Sequence, residues 1–315
     1  MIHSGGLPAE QPDGSSTARP RAWAVLWSLS RPRLLLWMLG IVLFGYGFAH
    51  WDQLLVVAHP AALGWLLVAW SFGNAGTMWL NAALDREEGA ALFAAQVRVP
   101  WYTGWAGYAS LALSIGVALL ARPLTAVLVA SCSALAVVYS HPKTAWKGHP
   151  VLGPVVNALG YGLLSPLAGW SLTGAALTWR VVLTFCTWTV WILGAYFAAQ
   201  AFQREDDARR GYRTLVVTHG PAVALRVARW CMNGAILVTF ALTIAGVYPR
   251  VTLFAYPLLF WADRAMVAWQ RQPRGGGPEW AARVYGRMLI GGLVIIATAY
   301  LDYWFLLDPI THLLG

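Results

Sequence analysis

Asn81-Ala82-Ala83-Leu84-Asp85-Arg86-Glu87-Glu88 closes an apolar run that begins at residue 60. Ala201-Phe202-Gln203-Arg204-Glu205-Asp206-Asp207 closes another that begins at residue 179. Each run covers the roughly 20 residues that a helix needs to cross the hydrocarbon core of a bilayer. Comparable runs occupy 33–50, 100–121, 123–140, 151–171, 219–247, 250–270 and 286–307. The pattern predicts an all-α membrane protein of nine transmembrane helices, bundled around a central cavity open to the cytoplasmic side. The two acidic segments end the second and sixth of these helices. Their similarity suggests an internal duplication of a four-helix unit.

Composition agrees with this reading. Of 315 residues, 58% are hydrophobic and only 11% are charged, less than half the charged fraction of an ordinary soluble domain. The net charge of +9 does not point to nucleic acid, because the basic residues flank apolar runs, where they act as topology signals. With the N-terminus inside, all Lys and Arg except Arg122, Arg180 and Arg250 fall on the cytoplasmic side. That bias places the protein as a multi-pass membrane protein with a cytoplasmic N-terminus, most simply in a bacterial inner membrane. Trp51, Trp101, Trp179 and Trp304 stand near span ends, as an aromatic belt requires. Residues 1–26 are expected to be a disordered cytoplasmic segment, with no removable signal peptide. Residues 27–315 are expected to form one polytopic transmembrane domain. Cys132, Cys186 and Cys231 read as packing residues inside apolar segments, not as a disulfide or a metal site.

The polar residues inside the spans carry the chemistry. Helical spacing places Asn74, Asn81, Asp85 and Glu88 along one face, and Gln200, Gln203 and Asp207 along another. Polar groups at membrane depth are costly, so they face a cavity or one another. Two acidic helix ends across a cavity offer the oxygen ligands that Mg²⁺ prefers, to be completed by substrate phosphates. Lys143 and Lys147 lie in the loop after the fourth helix, and Arg98, Arg209, Arg210 and Arg213 lie on the same side. Carboxylates mixed with cations suit a metal-bridged pyrophosphate. Asn157 and Tyr161 are candidates for the cavity wall, with helix-to-helix hydrogen bonding as the alternative. Phe72, Trp79, Tyr139 and Tyr196 are candidates to face a carbocation through their rings. Asp263 and Arg264 are expected to form a local ion pair.

These segments together resemble the UbiA superfamily of intramembrane prenyltransferases. Its first motif, Asn-Asp-x-x-Asp-x-x-x-Asp, is similar to Asn81-Ala82-Ala83-Leu84-Asp85-Arg86-Glu87-Glu88-Gly89. Its second, Asp-x-x-x-Asp, is similar to Gln203-Arg204-Glu205-Asp206-Asp207, with Gly211-Tyr212-Arg213-Thr214-Leu215 following. Tyr139-Ser140-His141-Pro142-Lys143 with Lys147 resembles the family's loop after the fourth helix. Ser30-Arg31-Pro32 matches the usual start of the first. Ala82, Gly89 and Gln203 stand where the family has aspartates.

The resemblance implies a prenyl group moved from a polyprenyl pyrophosphate to a small-molecule acceptor, commonly aromatic, within membrane lipid and with Mg²⁺ as cofactor. It implies Asn81, Asp85 and Asp207 as metal-binding or catalytic positions, with Lys143 and Lys147 on phosphate. Beyond the motif matches, Glu88 and Asp206 are expected to supply the missing carboxylate. Arg98, Arg213, Tyr139 and Asn157 are expected to contact substrate. The alternatives are a relative that cyclises the prenyl chain, and a catalytically silent lipid-binding or transport protein. Prenyl chain length, acceptor and oligomeric state are not readable from the residues.

Overall fold

The computed structural model describes residues 21–49, 59–85 and 99–305. Every regular element among them is helical. Helix α1 (Ala22–Leu29) leads into α2 (Pro32–Ala49), and α3 (Pro60–Asp85), α4 (Thr103–Ala121) and α5 (Pro123–Ser140) follow. Then come α6 (Leu152–Asn157), α7 (Ser165–Trp170), α8 (Trp179–Gln200), the short α9 (Arg204–Arg209) and α10 (Leu215–His219). The chain closes with α11 (Pro221–Ile244), α12 (Tyr256–Gln270) and α13 (Pro278–Phe305). Six helices among the described residues are long and apolar enough to cross a membrane, or seven if a pair bent by 51° counts as one. The protein is an integral, multi-pass membrane protein.

Proline explains most departures from straight spans. Pro32 disfavours helical backbone at Arg31, which leaves the helix at φ 52° and gives the 51° bend between α1 and α2. Helix α1 therefore turns back over the end of α3, where Trp79 donates its indole N–H to the Leu26 carbonyl at 2.8 Å. The run 151–171 is helical but not uniform, because Ala158–Leu164 is wound as a π-helix between α6 and α7. Pro166 has no N–H to return to the preceding turn, and the Ser165 hydroxyl instead donates to the Gly160 carbonyl at 2.6 Å. Such widened turns recur at functional sites because they re-aim side chains. The run 250–270 starts as a 3₁₀ turn at Arg250–Ala255. The last helix begins at Pro278, earlier than 286, because proline is well placed at a helix start and Ala281 and Val284 of the first turns pack into the core.

Packing forms two blocks. One joins α2, α3, α4, α5 and α7 around Val42, Leu66, Ala126 and Leu172. The other joins α8, α11, α12 and α13 around Leu225, Met232, Met266 and Trp269. In the first block α2 and α7 approach so closely that a Cβ at Gly45 would collide with the Pro166 carbonyl. Trp101 and Trp179 are exposed at helix ends, as a belt requires, whereas Trp51 and the Trp304 side chain lie outside the described residues.

Two expectations are corrected. Asp263 does not pair with Arg264. It accepts from Arg229 of α11 through Nε at 2.7 Å and Nη2 at 2.9 Å, and from Asn233 Nδ2 at 2.9 Å. Adjacent side chains on a helix diverge by about 100°, so the residue that faces Asp263 comes from the neighbouring helix. Cys186 is exposed on α8 and is not a packing residue inside the protein, whereas Cys132 and Cys231 are partly buried; all three are free thiols.

Candidate functional site

Between the two blocks lies a cavity of about 360 Å³. It descends from Asn81 to Ala69 on α3 and from Tyr139 to Val129 on α5. At 1.5 Å per residue, those ends lie roughly 15–18 Å apart. The deep end is apolar, bounded by Ala69, Trp70, Leu111, Val129 and Ile192. The shallow end is polar, bounded by Lys147, Gln203, Asp206, Asp207 and Arg210, and it opens to solvent beside the exposed Arg210.

Two loops build the polar end, each locked to the other. Helix α9 reverses at Gly211, whose φ of +74° is left-handed backbone that other residues rarely adopt. The turn brings Tyr212 N–H onto the Asp207 carbonyl at 2.9 Å and Arg213 N–H onto the Gly148 carbonyl at 2.8 Å. That second bond joins the α9–α10 turn to the loop after α5. The Tyr212 ring then lies against Gly148, with Lys147 Nζ 5.9 Å from the ring centroid. The Asp207 carboxylate accepts from the Thr214 hydroxyl at 2.8 Å. Across the cavity, Asn81 Oδ1 accepts from the Ser140 hydroxyl at 2.7 Å, fixing α3 to the end of α5.

The electrostatics follow from burial. Lys147 is only 8% exposed, and desolvation pushes its pKa down to about 7. Arg210 repels it further, while Asp207 works in the opposite direction. Burial likewise raises the Asp207 pKa above the ordinary carboxylate value, against the Thr214 hydrogen bond and the Arg210 charge. Asp206 is partly drawn off by an ion pair with the exposed Arg209. Gln200 donates to Tyr196 at 2.8 Å, and its own Oε1 is buried without a hydrogen-bond partner.

The expected site residues divide accordingly. Asn81, Tyr139, Lys147, Asn157, Asp206 and Asp207 line one cavity. Tyr161, Tyr196, Gln200 and Gln203 join them, but Phe72 and Trp79 do not. Lys143 and Arg213 are exposed and outside the lining. Glu88 and Arg98 fall outside the described residues, as does the side chain of Asp85. The backbone of Asp85 ends α3, one turn beyond Asn81. Thr214, Tyr212 and Ser140 carry the architecture of the polar end and were not singled out from sequence. All three stand inside segments quoted for the resemblance, which was the available signal.

The donor set fits a hard cation. The polar end offers carboxylate and amide oxygens, and no group of three His, Cys, Asp or Glu stands together among the described residues. Such oxygens suit Mg²⁺, whose other positions are commonly filled by substrate phosphates and water. The orphaned Gln200 Oε1 adds one acceptor that lacks a partner in the protein.

The sequence profile of the UbiA prenyltransferase family matches residues 34–285. The chain belongs to the UbiA prenyltransferase family. A protoheme IX farnesyltransferase from Photobacterium profundum is 27% identical over 255 residues, covering 78% of this chain and 75% of that protein. A UbiA homologue from Archaeoglobus fulgidus, solved with GPP and Mg²⁺, superposes with a TM-score of 0.66 at 19% identity, covering 89% of this chain and 99% of that one. The same homologue solved with DMAPP and Mg²⁺ gives 0.65 at 18% identity, covering 88% and 98%. At such identities the superpositions establish a shared UbiA fold.

Proposed function

We propose that this UbiA-family protein transfers a prenyl group from a prenyl pyrophosphate to a small-molecule acceptor, with Mg²⁺ as the cofactor that its polar cavity end would hold. The observation that carries the reading is the cavity itself, polar with charges of both signs at one end and apolar at the other. An amphiphile with a pyrophosphate head and a hydrocarbon tail matches that division. Mg²⁺ and GPP or DMAPP in the Archaeoglobus fulgidus homologue support it by analogy of fold.

Asp207, Asp206, Asn81 and Gln200 are the residues proposed to hold the metal, with Asp85 joining from the end of α3 and Glu88 beyond it. When bound, Mg²⁺ supplies positive charge to the pyrophosphate and so lowers the cost of its departure. Lys147 and Arg210 bind the same oxygens from the α5 loop and the α9 turn, Lys143 and Arg213 add charge from outside the lining, and Arg98 is proposed to contact substrate as well. The C1–O bond of the donor breaks with its electron pair leaving on pyrophosphate. The acceptor forms the new bond to C1 and loses a proton. Tyr139, Tyr196 and Asn157 line the cavity where the allylic cation would develop, and the apolar wall keeps water from it.

The topology proposed with this mechanism has nine spans, the cavity mouth on the cytoplasmic side and the N-terminus there too. The bent α1–α2 pair counts as one span, and α3 and the α6–π–α7 segment add two to those that composition alone identifies. The boundary expected after residue 26 moves back to Ala22, where α1 begins with Val25 already buried, and the catalytic domain is proposed to run on from there, in a bacterial inner membrane. Binding of geranyl pyrophosphate to purified protein, followed by isothermal titration with Mg²⁺ and with EDTA, tests the metal-bridged head. The expected result is metal-dependent binding that Asp207→Asn weakens at least tenfold. Equal binding in EDTA would remove the metal from the reading.

A further inference from the structure

Outside the cavity, the surface of α12 and α13 changes character abruptly. On α13, Arg283 is exposed and Arg287 partly so, and the next outward residues are apolar: Leu289 at 41%, Ile290 at 45% and Leu293 at 55% exposure. On α12, Arg264 is exposed, and one turn earlier the outward residues are Trp261 at 42% and Phe260 at 64%. The helices are antiparallel neighbours, since position 291 packs on Leu259 while Arg287 reaches Trp261. The two change points therefore lie at one height.

That height is fixed by contacts. Arg287 donates from Nη1 to the Trp261 carbonyl at 3.0 Å, and its guanidinium stacks 4.3 Å from the Trp261 ring centroid. Arg283, one turn nearer the helix start, stacks 4.5 Å from Trp280. Arg264 lies one turn beyond Trp261, and Arg283 one turn before Arg287, so the antiparallel pairing puts both on the same side of the Arg287–Trp261 contact. Among the described residues, the ion pairs are Arg209–Asp206 and Arg229–Asp263, so none of these three arginines is matched by a carboxylate. Asp263 faces α11 and is taken by Arg229 and Asn233. Glu279 spends its carboxylate on the Gly277 N–H at 3.2 Å.

Three unmatched arginines, two of them stacked on tryptophans, stand at the level where an outer surface turns from charged to apolar. Arginine presents a planar fork to phosphate, and tryptophan is enriched where headgroups meet hydrocarbon. We propose that the outer face of α12–α13 is a binding site for one anionic phospholipid. Its phosphodiester lies among Arg264, Arg283 and Arg287, and its acyl chains run down over Trp261, Leu289 and Leu293. The tryptophans hold the guanidinium groups of Arg283 and Arg287 in place before the lipid arrives, so less side-chain freedom is lost on binding. Arg271 and Arg274, in the turn between the helices, carry equal charge but lie beyond the change of character and take no part.

The test uses full-length protein in mixed micelles and native mass spectrometry. Phosphatidylglycerol is titrated against phosphatidylcholine of the same chains. Each cation near an anionic headgroup strengthens binding by roughly fivefold, so the parent should prefer phosphatidylglycerol by well over tenfold. Arg264→Gln with Arg283→Gln should remove most of that preference, and the triple variant with Arg287→Gln should abolish it. The double variant leaves the Arg287–Trp261 contact intact, so it remains informative should the triple variant fail to fold. Arg271→Gln with Arg274→Gln should leave the preference unchanged. An equal affinity of the parent for both lipids would overturn the site. So would equal losses in the two double variants, which would mark unspecific surface charge.

Discussion

Lys147→Met should move stability and ligand binding in opposite directions. In the ligand-free protein Lys147 is buried, and its pKa falls from the ordinary 10.5 to about 7. That difference corresponds to about 5 kcal/mol of disfavour for the charged form, an upper bound for what neutralising the group returns. The sign follows from proton counting. Between pH 7 and 10.5 the unfolded chain holds the Lys147 proton and the folded protein does not, so this group's contribution to stability improves as pH rises through that window. Below pH 7 both states are protonated and the whole penalty stands. Lys147→Met should therefore raise the melting temperature by several degrees at pH 6, with the gain shrinking toward pH 10. A pyrophosphate reverses the preference, because its charge favours the ammonium form. Affinity of the parent for geranyl pyrophosphate should then fall about tenfold from pH 6 to pH 8, as the ligand-free protein loses the proton. Lys147→Met should lack that dependence, which separates it from titration of the ligand, and should bind roughly 30- to 5000-fold more weakly, the range for truncating one partner of a desolvated charge pair. Differential scanning fluorimetry and titration calorimetry across this pH range read both effects. A variant that is less stable at pH 6, or that binds as the parent does, would refute the assignment of Lys147 to the pyrophosphate.

Three further outcomes are expected. Thr214→Val should raise the Asp207 pKa further, since it removes the hydroxyl that favours the carboxylate. Metal-dependent donor binding should then need a higher pH than in the parent, as a titration between pH 5 and 8 would show. Asp263→Ala should cost about 2 kcal/mol, because it strands Arg229 and Asn233, whereas Arg264→Gln should change thermal stability by less than about 0.5 kcal/mol. Gly45→Ala should abolish a folded product because its Cβ meets the Pro166 backbone, while Gly40→Ala, with nothing within 4 Å, should be silent by size-exclusion profile and melting temperature.

Much of this was legible in the residues, for physical reasons that also explain the rest. Apolar run length fixes the order of helices, because hydrocarbon thickness sets a single scale. The polar faces Asn74–Asn81 and Gln200–Gln203–Asp207 were readable from helical spacing, and the cavity brings them together. Arg31's positive φ and the π-turn after Asn157 were not readable, since they depend on how Pro32 and Pro166 resolve a local conflict within packed neighbours. Lys143 and Lys147 look equivalent in sequence. The fold separates them: Lys147 is buried with its Nζ 5.9 Å from the Tyr212 ring centroid, and Lys143 is exposed. The partner of Asp263 comes from another helix, so it was a tertiary fact from the outset.

The central claim is prenyl transfer at this cavity, and product analysis tests it most directly. Purified protein is incubated with Mg²⁺, geranyl or farnesyl pyrophosphate and a panel of phenolic acceptors, and the extract is read by mass spectrometry. The account predicts an acceptor whose mass rises by that of the prenyl group less one hydrogen, equimolar pyrophosphate release, and loss of both in Asp207→Asn. Donor that binds but is recovered unchanged with every acceptor, and no pyrophosphate released, would contradict it and leave a lipid-binding protein in the UbiA fold.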